Sequence, residues 1–364
     1  MRAAREASGL ASLLSKMMNE SEKNRIEVLD FLRGIAALAV ALHHFCNILE
    51  PGLLRSASHY GQLGVQVFFV ISGFIIPYSL YRGGYLLKHY WIFVVKRITR
   101  LDPPYLVTLA LIILLGMLSW YVPFQKGMVF EVSLPQVLLH LGYVNTFFGY
   151  PWLNDVFWTL AIEFQYYLLM GLVFPLVFSR NAWTRLLSFA VLNALSFLIP
   201  QSIYVFYFIS LFFMGILTCQ YRIGMIGGRQ YAALLAATTA LAFWVMGVPS
   251  MLAGMAAVLS ILFLQMRNAV FHFLGSISYS LYLLHSPVGR RALNVFLRAT
   301  GAQSELAKIG VILLAVGVSI FAAYLLYRYV ERPSQQWSAS FRYRPRREAR
   351  EVRPEELEQL NPAL

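Results

Sequence analysis

The sequence predicts an all-α protein that threads a membrane about ten times, and three observations carry that prediction. Of 364 residues, 59% are hydrophobic and only 13% charged, too little charge to cover a soluble chain of this length. The mean hydropathy is +0.61. Apolar blocks recur along the chain, each near the ~20 residues that a helical span needs, while the alternating strands of a membrane barrel are absent. The net charge of +13 comes from Lys and Arg clustered beside apolar blocks. Topogenic charge and anionic headgroups account for that placement better than nucleic acid does. Cys46 and Cys219 both lie in apolar segments, so neither a structural disulfide nor a metal site is expected.

Residues 1–25 are mixed and basic and read as a cytoplasmic N-terminal extension. Its LASLLSKMM stretch is compatible with a short interfacial helix or with a start at Met17 or Met18, and no removable signal peptide is read there. The first span, Val28 to Leu49, runs outward and ends at Glu50-Pro51-Gly52. The second, about Gly61 to Leu80, returns to a basic loop holding Arg82, Lys88, Lys96, Arg97 and Arg100. A third starts near Asp102-Pro103-Pro104, because proline is tolerated in a first helical turn, and ends near Trp120. The long loop from Tyr121 to about Asp155 is aromatic-rich and external. Span four covers about Val156 to Phe178, and the short spans five and six hinge at Pro200. Span seven ends near Gly247, span eight runs from Met251 to Met266, span nine from Val270 to Val288, and span ten from Lys308 to Tyr327. Both termini are then cytoplasmic, and 334–364 forms a charged tail without an apolar period, expected to be disordered. This order puts Arg290, Arg291 and Arg298 outside, which is anomalous for a positive-inside protein.

Charged groups at membrane depth are costly unless paired or facing a cavity, so they are the functional candidates. Arg33 and His44 are eleven positions apart on span one. At ~100° per residue they share one stripe, about 16 Å apart along the axis, and His43 points elsewhere. Glu163 on span four lies at a depth similar to His44, so the two can pair if their helices are neighbours, as a general base and its orienting carboxylate. His285 near the outer end of span nine has comparable depth. Arg33, Arg97 and Arg100 form a basic ring at the other leaflet, suited to phosphates. Blander readings exist: Arg33 pairing with Asp30 or snorkelling to headgroups, His44 as a packing residue, Ser72 beside Gly73 serving close helix contact. No G-x-S-x-G or other serine-nucleophile set is present.

Several stretches together resemble the membrane acyltransferase-3 family. LDFLRGIAALAVALHHF resembles its opening motif, an arginine followed by a histidine, and counting selects Arg33 and His44 over His43. GVQVFFVISGFII, KRITRLDPPY, WTLAIEFQYYLL, SYSLYLLHSPV and YVERP are similar to later motifs in the family's order, with Thr159 and Tyr166 in place of the commoner serine and phenylalanine. The resemblance covers about Ile26 to Pro333 and implies a membrane acyltransferase domain there, of the stand-alone type without a fused esterase-like domain. It implies acyl-CoA, commonly acetyl-CoA, as donor, with no metal. The acceptor it implies is a hydroxyl of a cell-surface or exported glycan or lipid-linked sugar at the bacterial inner membrane. His44 would be the general base or transient acyl carrier, oriented by Glu163, and Arg33, Arg97 and Arg100 would hold the CoA phosphates. Tyr105, Ser72, His285 and Trp158 are candidates for lining the substrate cavity. A polytopic transporter of a glycan or small molecule is the competing reading. It needs no CoA-binding basic ring and often shows repeated halves, and no internal repeat is found.

Overall fold

The computed structural model describes residues 27–119, 131–266 and 268–343. The N-terminal extension, with its interfacial-helix reading, and residues 344–364 lie outside them. The described residues form a helical bundle: α1 (27–45), α2 (Leu53–His59), α3 (Gly64–Arg82), α4 (Tyr90–Ser119), α5 (Leu134–Leu141), α6 (Phe157–Val177), α7 (Ala182–Leu198), α8 (Ile209–Arg222), α9 (Gly228–Phe263), α10 (Ala269–Leu284), α11 (Arg291–Thr300), α12 (Glu305–Leu326) and α13 (Arg332–Ser340). Seven helical segments among the described residues are long and apolar enough to cross a membrane: Glu27–Ile48, Leu53–Arg82, Leu87–Leu118, Phe157–Val177, Val205–Arg222, Gly228–Phe263 and Glu305–Ser340. The apolar α7 is shorter, at 17 residues. The protein is a multi-pass membrane protein. Cys46 and Cys219 are not joined by a disulfide.

At the centre stands α8, buried at every position from Ile209 to Gln220. It meets α3 backbone to backbone. A Cβ added at Gly73 would collide with the Phe212 carbonyl oxygen, and one at Gly215 with that of Val70. Small residues at a helix crossing allow this approach, and close contact replaces the hydrophobic drive that lipid does not supply. Gly73 therefore performs the packing expected of the Ser72-Gly73 pair, which leaves the Ser72 hydroxyl free to face elsewhere.

Three elements differ from the sequence expectation. First, α4 does not begin at Asp102. It runs from Tyr90 straight through Pro103 and Pro104, so Lys96, Arg97 and Arg100 stand on a helix rather than in a loop. Each proline removes one ladder hydrogen bond, and burial of Phe93, Val94, Tyr105 and Leu109 around them offsets that loss. Second, spans seven and eight are the two halves of α9, which breaks at Gly247 with φ 80°, a backbone angle natural to glycine. Third, the stretch that follows Pro333 continues as the helix α13 to Ser340. Ser334 and Ser338, four apart and both buried, give α13 a small-residue face. That face lies on α4, where Ser338 Oγ donates to the Lys96 carbonyl at 2.8 Å and Lys96 Nζ to that of Phe341 at 2.6 Å.

The described part of the 121–155 loop is built around His140. Its Nδ1 lies 2.7 Å from the Gln136 carbonyl, which must accept, and its Nε2 takes the Leu153 amide at 3.2 Å. Both bonds need a neutral ring, and burial holds the imidazole below its usual value. Because the folded ring resists the proton, its contribution to stability is complete above the unfolded value of ~6.5 and is lost as pH falls. Amide exchange at Leu153 is expected to accelerate as pH drops below about 6.5, more than at α8 amides, after correction for intrinsic rates. Gly73→Val is expected to cost about 1–3 kcal/mol or more through overpacking, seen as a lower melting temperature in detergent. Gly310→Ala, at a position where a Cβ meets nothing within 4 Å, should leave it unchanged.

Candidate active site

A cavity opens between α1, α3, α4, α6 and α10. Arg33, Arg97 and Arg100 all line it, with Ser72, Glu163, Tyr167, Tyr279, Tyr282 and Glu331. Helices α1, α4 and α6 thus face one space, α4 through Arg97, Arg100 and Leu101, which precede the third span as the sequence bounded it. Inside it the carboxylates are satisfied by hydroxyls. Glu163 Oε1 accepts from Ser72 Oγ and from Tyr167 OH, each at 2.5 Å. Glu331 accepts from Ser280 Oγ at 2.6 Å and from Gln335 Nε2 at 2.9 Å.

The arginines are not satisfied in this way. Among the described residues, no ion pair within 4 Å involves Arg33, Arg97 or Arg100. Arg97 is buried, stacks over the Phe93 and Tyr167 rings at 5.3 and 5.9 Å, and keeps Nε without a hydrogen-bond partner among the described residues. Asp30, the neighbour considered for Arg33, turns to His272 Nδ1 at 2.7 Å. Three guanidinium groups and two hydroxyl-bonded carboxylates leave the cavity with excess positive charge, the donor set an anionic ligand requires.

Toward the other end of α1 the histidines gather. The His44 ring lies 5.2 Å from His285 and 5.1 Å from His43, while His43 also faces His59 at 5.4 Å. His44 Nδ1 receives Arg290 Nη2 at 2.8 Å, and Arg290 is itself paired with Asp155 at 2.6 Å. Among the described residues these side chains form no group suited to a metal ion.

The expected hydrogen-bonded pair of His44 and Glu163 is not formed. Glu163 lies in the arginine cavity, a helical turn further along α6 than the level of the histidine cluster, and is turned toward α3 and its own Tyr167. One helical turn earlier on α6, Thr159 Oγ1 meets Tyr282 OH at 2.7 Å, and the Tyr282 ring lies 5.9 Å from His285. Thr159 and Tyr282 therefore stand between the arginine cavity and the histidine cluster.

The remaining candidates divide. Ser72 lines the cavity and His285 packs on His44, both close to where the sequence puts substrate. Tyr105 does not line the cavity: it is buried against Tyr143 and Phe157 and donates to the His140 carbonyl at 3.1 Å, so it supports the loop. Trp158 lines a different pocket with Tyr143, Thr146, Phe147 and Trp152, on the face of α6 turned away from Glu163. Residues the sequence reading left out include Arg290, Asp155, Tyr167 and Glu331. Arg290 was visible only as a misplaced external charge, and Tyr167 as the hydroxyl one turn after Glu163.

A family model described as an acyltransferase domain, Acyl_transf_3, matches residues 26–328. The chain is similar to the peptidoglycan O-acetyltransferase OatA of Listeria monocytogenes, at 27% identity over 183 residues, 47% of this chain and 27% of that protein. It is also similar to the putative acetyltransferase ORF330 of Acidianus two-tailed virus, at 27% identity over 144 residues, 39% of each. The matched stretches thus span well under half the length of both relatives. No solved structure matches the chain. Because the family model runs through the helices that carry the three arginines, Glu163 and the histidine cluster, the chain belongs to that acyltransferase family.

Proposed function

We propose that the protein moves an acyl group, acetyl in the first instance, from acyl-CoA to a hydroxyl of a cell-surface or exported glycan or lipid-linked sugar, at the bacterial inner membrane. The observation that carries this reading is the convergence of Arg33, Arg97 and Arg100, without carboxylate partners among the described residues, on one cavity beside Glu163. CoA brings phosphates, and guanidinium forks bind phosphate bidentately. The acceptor class follows the peptidoglycan acetyltransferase to which the chain is similar. The topology in this reading has ten spans, obtained by dividing α9 at Gly247 and adding α7 and α10. Both termini and the arginine cavity are cytoplasmic and the histidine cluster external.

In this arrangement the arginines hold the donor's phosphates and set the direction of its thioester, which lowers the entropy of meeting the acceptor. Glu163 holds Ser72 and Tyr167 in place at the cavity wall. The pair of imidazoles, His44 and His285, handles the proton that leaves the acceptor hydroxyl. His44→Ala at normal protein levels is expected to lower O-acetylation of the cell envelope about 100- to 10,000-fold, read as base-labile acetate released from isolated envelopes. Retained acetylation would remove His44 from the site. Arg97→Gln is expected to raise the KM for acetyl-CoA roughly tenfold or more, the loss of one charge-assisted contact, with little change in kcat. Purified protein that neither binds nor consumes acetyl-CoA would overturn the donor assignment.

A further inference from the structure

The two central imidazoles are held by groups of opposite hydrogen-bonding kind. A guanidinium has five N–H donors and no acceptor. Arg290 at 2.8 Å from His44 Nδ1 therefore needs a lone pair there, and neutral His44 carries its proton on Nε2. A carbonyl oxygen has the reverse requirement. The Leu281 carbonyl, 3.2 Å from His285 Nδ1, needs an N–H there, so neutral His285 has a bare lone pair on Nε2. That nitrogen is buried, on a residue with 0% exposure, and has no hydrogen-bond partner among the described residues. The rings lie 5.2 Å apart at 32°. One offers an N–H and the other a lone pair.

The His285 setting is an i−4 contact to the end of α10, and the His44 setting traces to one irregular turn. Residues His285–Arg290 form a π-helical turn, which brings residues five apart toward one side. Arg290 is held from its other flank by Asp155 at 2.6 Å. Other titratable neighbours are Tyr282, 5.9 Å from His285, His43 on α1 and, beyond it, His59 on α2.

We propose that Arg290 is a positioning residue that holds His44 as an Nε2–H donor, so that His285 Nε2, not His44, takes the acceptor's proton. The inference rests on the acyl-transfer reading above. The acceptor O–H bond breaks and its proton passes to His285 Nε2, while the oxygen forms a C–O bond to the carbonyl carbon of the acyl thioester. The oxyanion that develops receives the His44 Nε2–H. As the intermediate collapses the C–S bond breaks, and the thiolate recovers the proton from His285.

The test uses the full-length protein in cells, with base-labile envelope acetate as readout and protein level measured in the same membranes. His44→Gln keeps a side-chain N–H donor and is expected to retain about a tenth of activity or more, whereas His44→Ala loses about 100-fold or more. His285→Gln cannot accept a proton and is expected to fall by about 100-fold or more. Arg290→Lys, which also only donates, should retain most activity, and Arg290→Met should lose it. In the His44→Gln background Arg290→Met should have no further effect, a result that a merely structural arginine would not produce. If His44→Gln is as inactive as His44→Ala while His285→Gln stays active, the assignment of roles is overturned and the acyl-transfer reading stands. If His44→Ala and His285→Gln are both fully active, the acyl-transfer site itself is misplaced and the inference falls with it.

Discussion

A carboxylate in the middle of an apolar helix must be met by donors, and Glu163 is met by Ser72 and Tyr167. Much of the interior follows from that demand. Tyr167 lies one turn along α6, so it costs the fold only the choice of residue. Ser72 has to be brought from another helix, and α3 is held at the required place by its tight seat on α8 through Gly73 and Gly215. With Glu163 engaged by hydroxyls rather than by a cation, the cavity keeps an excess of positive charge. An ion pair between Glu163 and Arg97 would have occupied one of the three guanidinium groups available to an anion.

The site is consequently divided along the bundle axis. Positive charge is concentrated beside α4, and the imidazoles are concentrated near the far end of α1. Between them lie Thr159, Tyr282 and Phe68, whose ring is 5.7 Å from Tyr282. Under the proposed reading this division separates two tasks. The bulky anionic part of the donor stays where the guanidinium groups are, and only its thioester end approaches the histidines.

The sequence made the fold class legible because composition and block length leave a bilayer as the only solvent that fits. Arg33, His44 and Glu163 were legible for a related reason, since the cost of a charge at depth marks it. The grouping of the arginines also emerged from counting, because a ring of basic residues near one leaflet needs only height to be recognised. What counting could not supply was which side chains each group meets. Residue counts placed Glu163 level with His44, yet Glu163 lies with Ser72 in the arginine cavity and His44 lies with Arg290 beyond Thr159 and Tyr282. Local rules misled at Pro103 and Pro104, where burial of neighbours outweighs two missing amide donors. They misled again at Ser334 and Ser338, whose polarity reads as a solvated tail but whose small size makes a helix contact.

The π-helical turn at His285–Arg290 has a consequence for how this site is inherited. Such a turn accommodates one more residue than the α-helix around it, so the relation between His285 and Arg290 is stored in the length of the chain as well as in its letters. Ordinary substitutions between them, at Ser286 or Val288, leave that relation intact, whereas loss of a single codon would rewind the turn and swing the guanidinium to another face. Drift in this segment is therefore tolerant of spelling and intolerant of frame-preserving gaps. Alignments of distant relatives should be anchored on the His-to-Arg interval before any residue within it is compared.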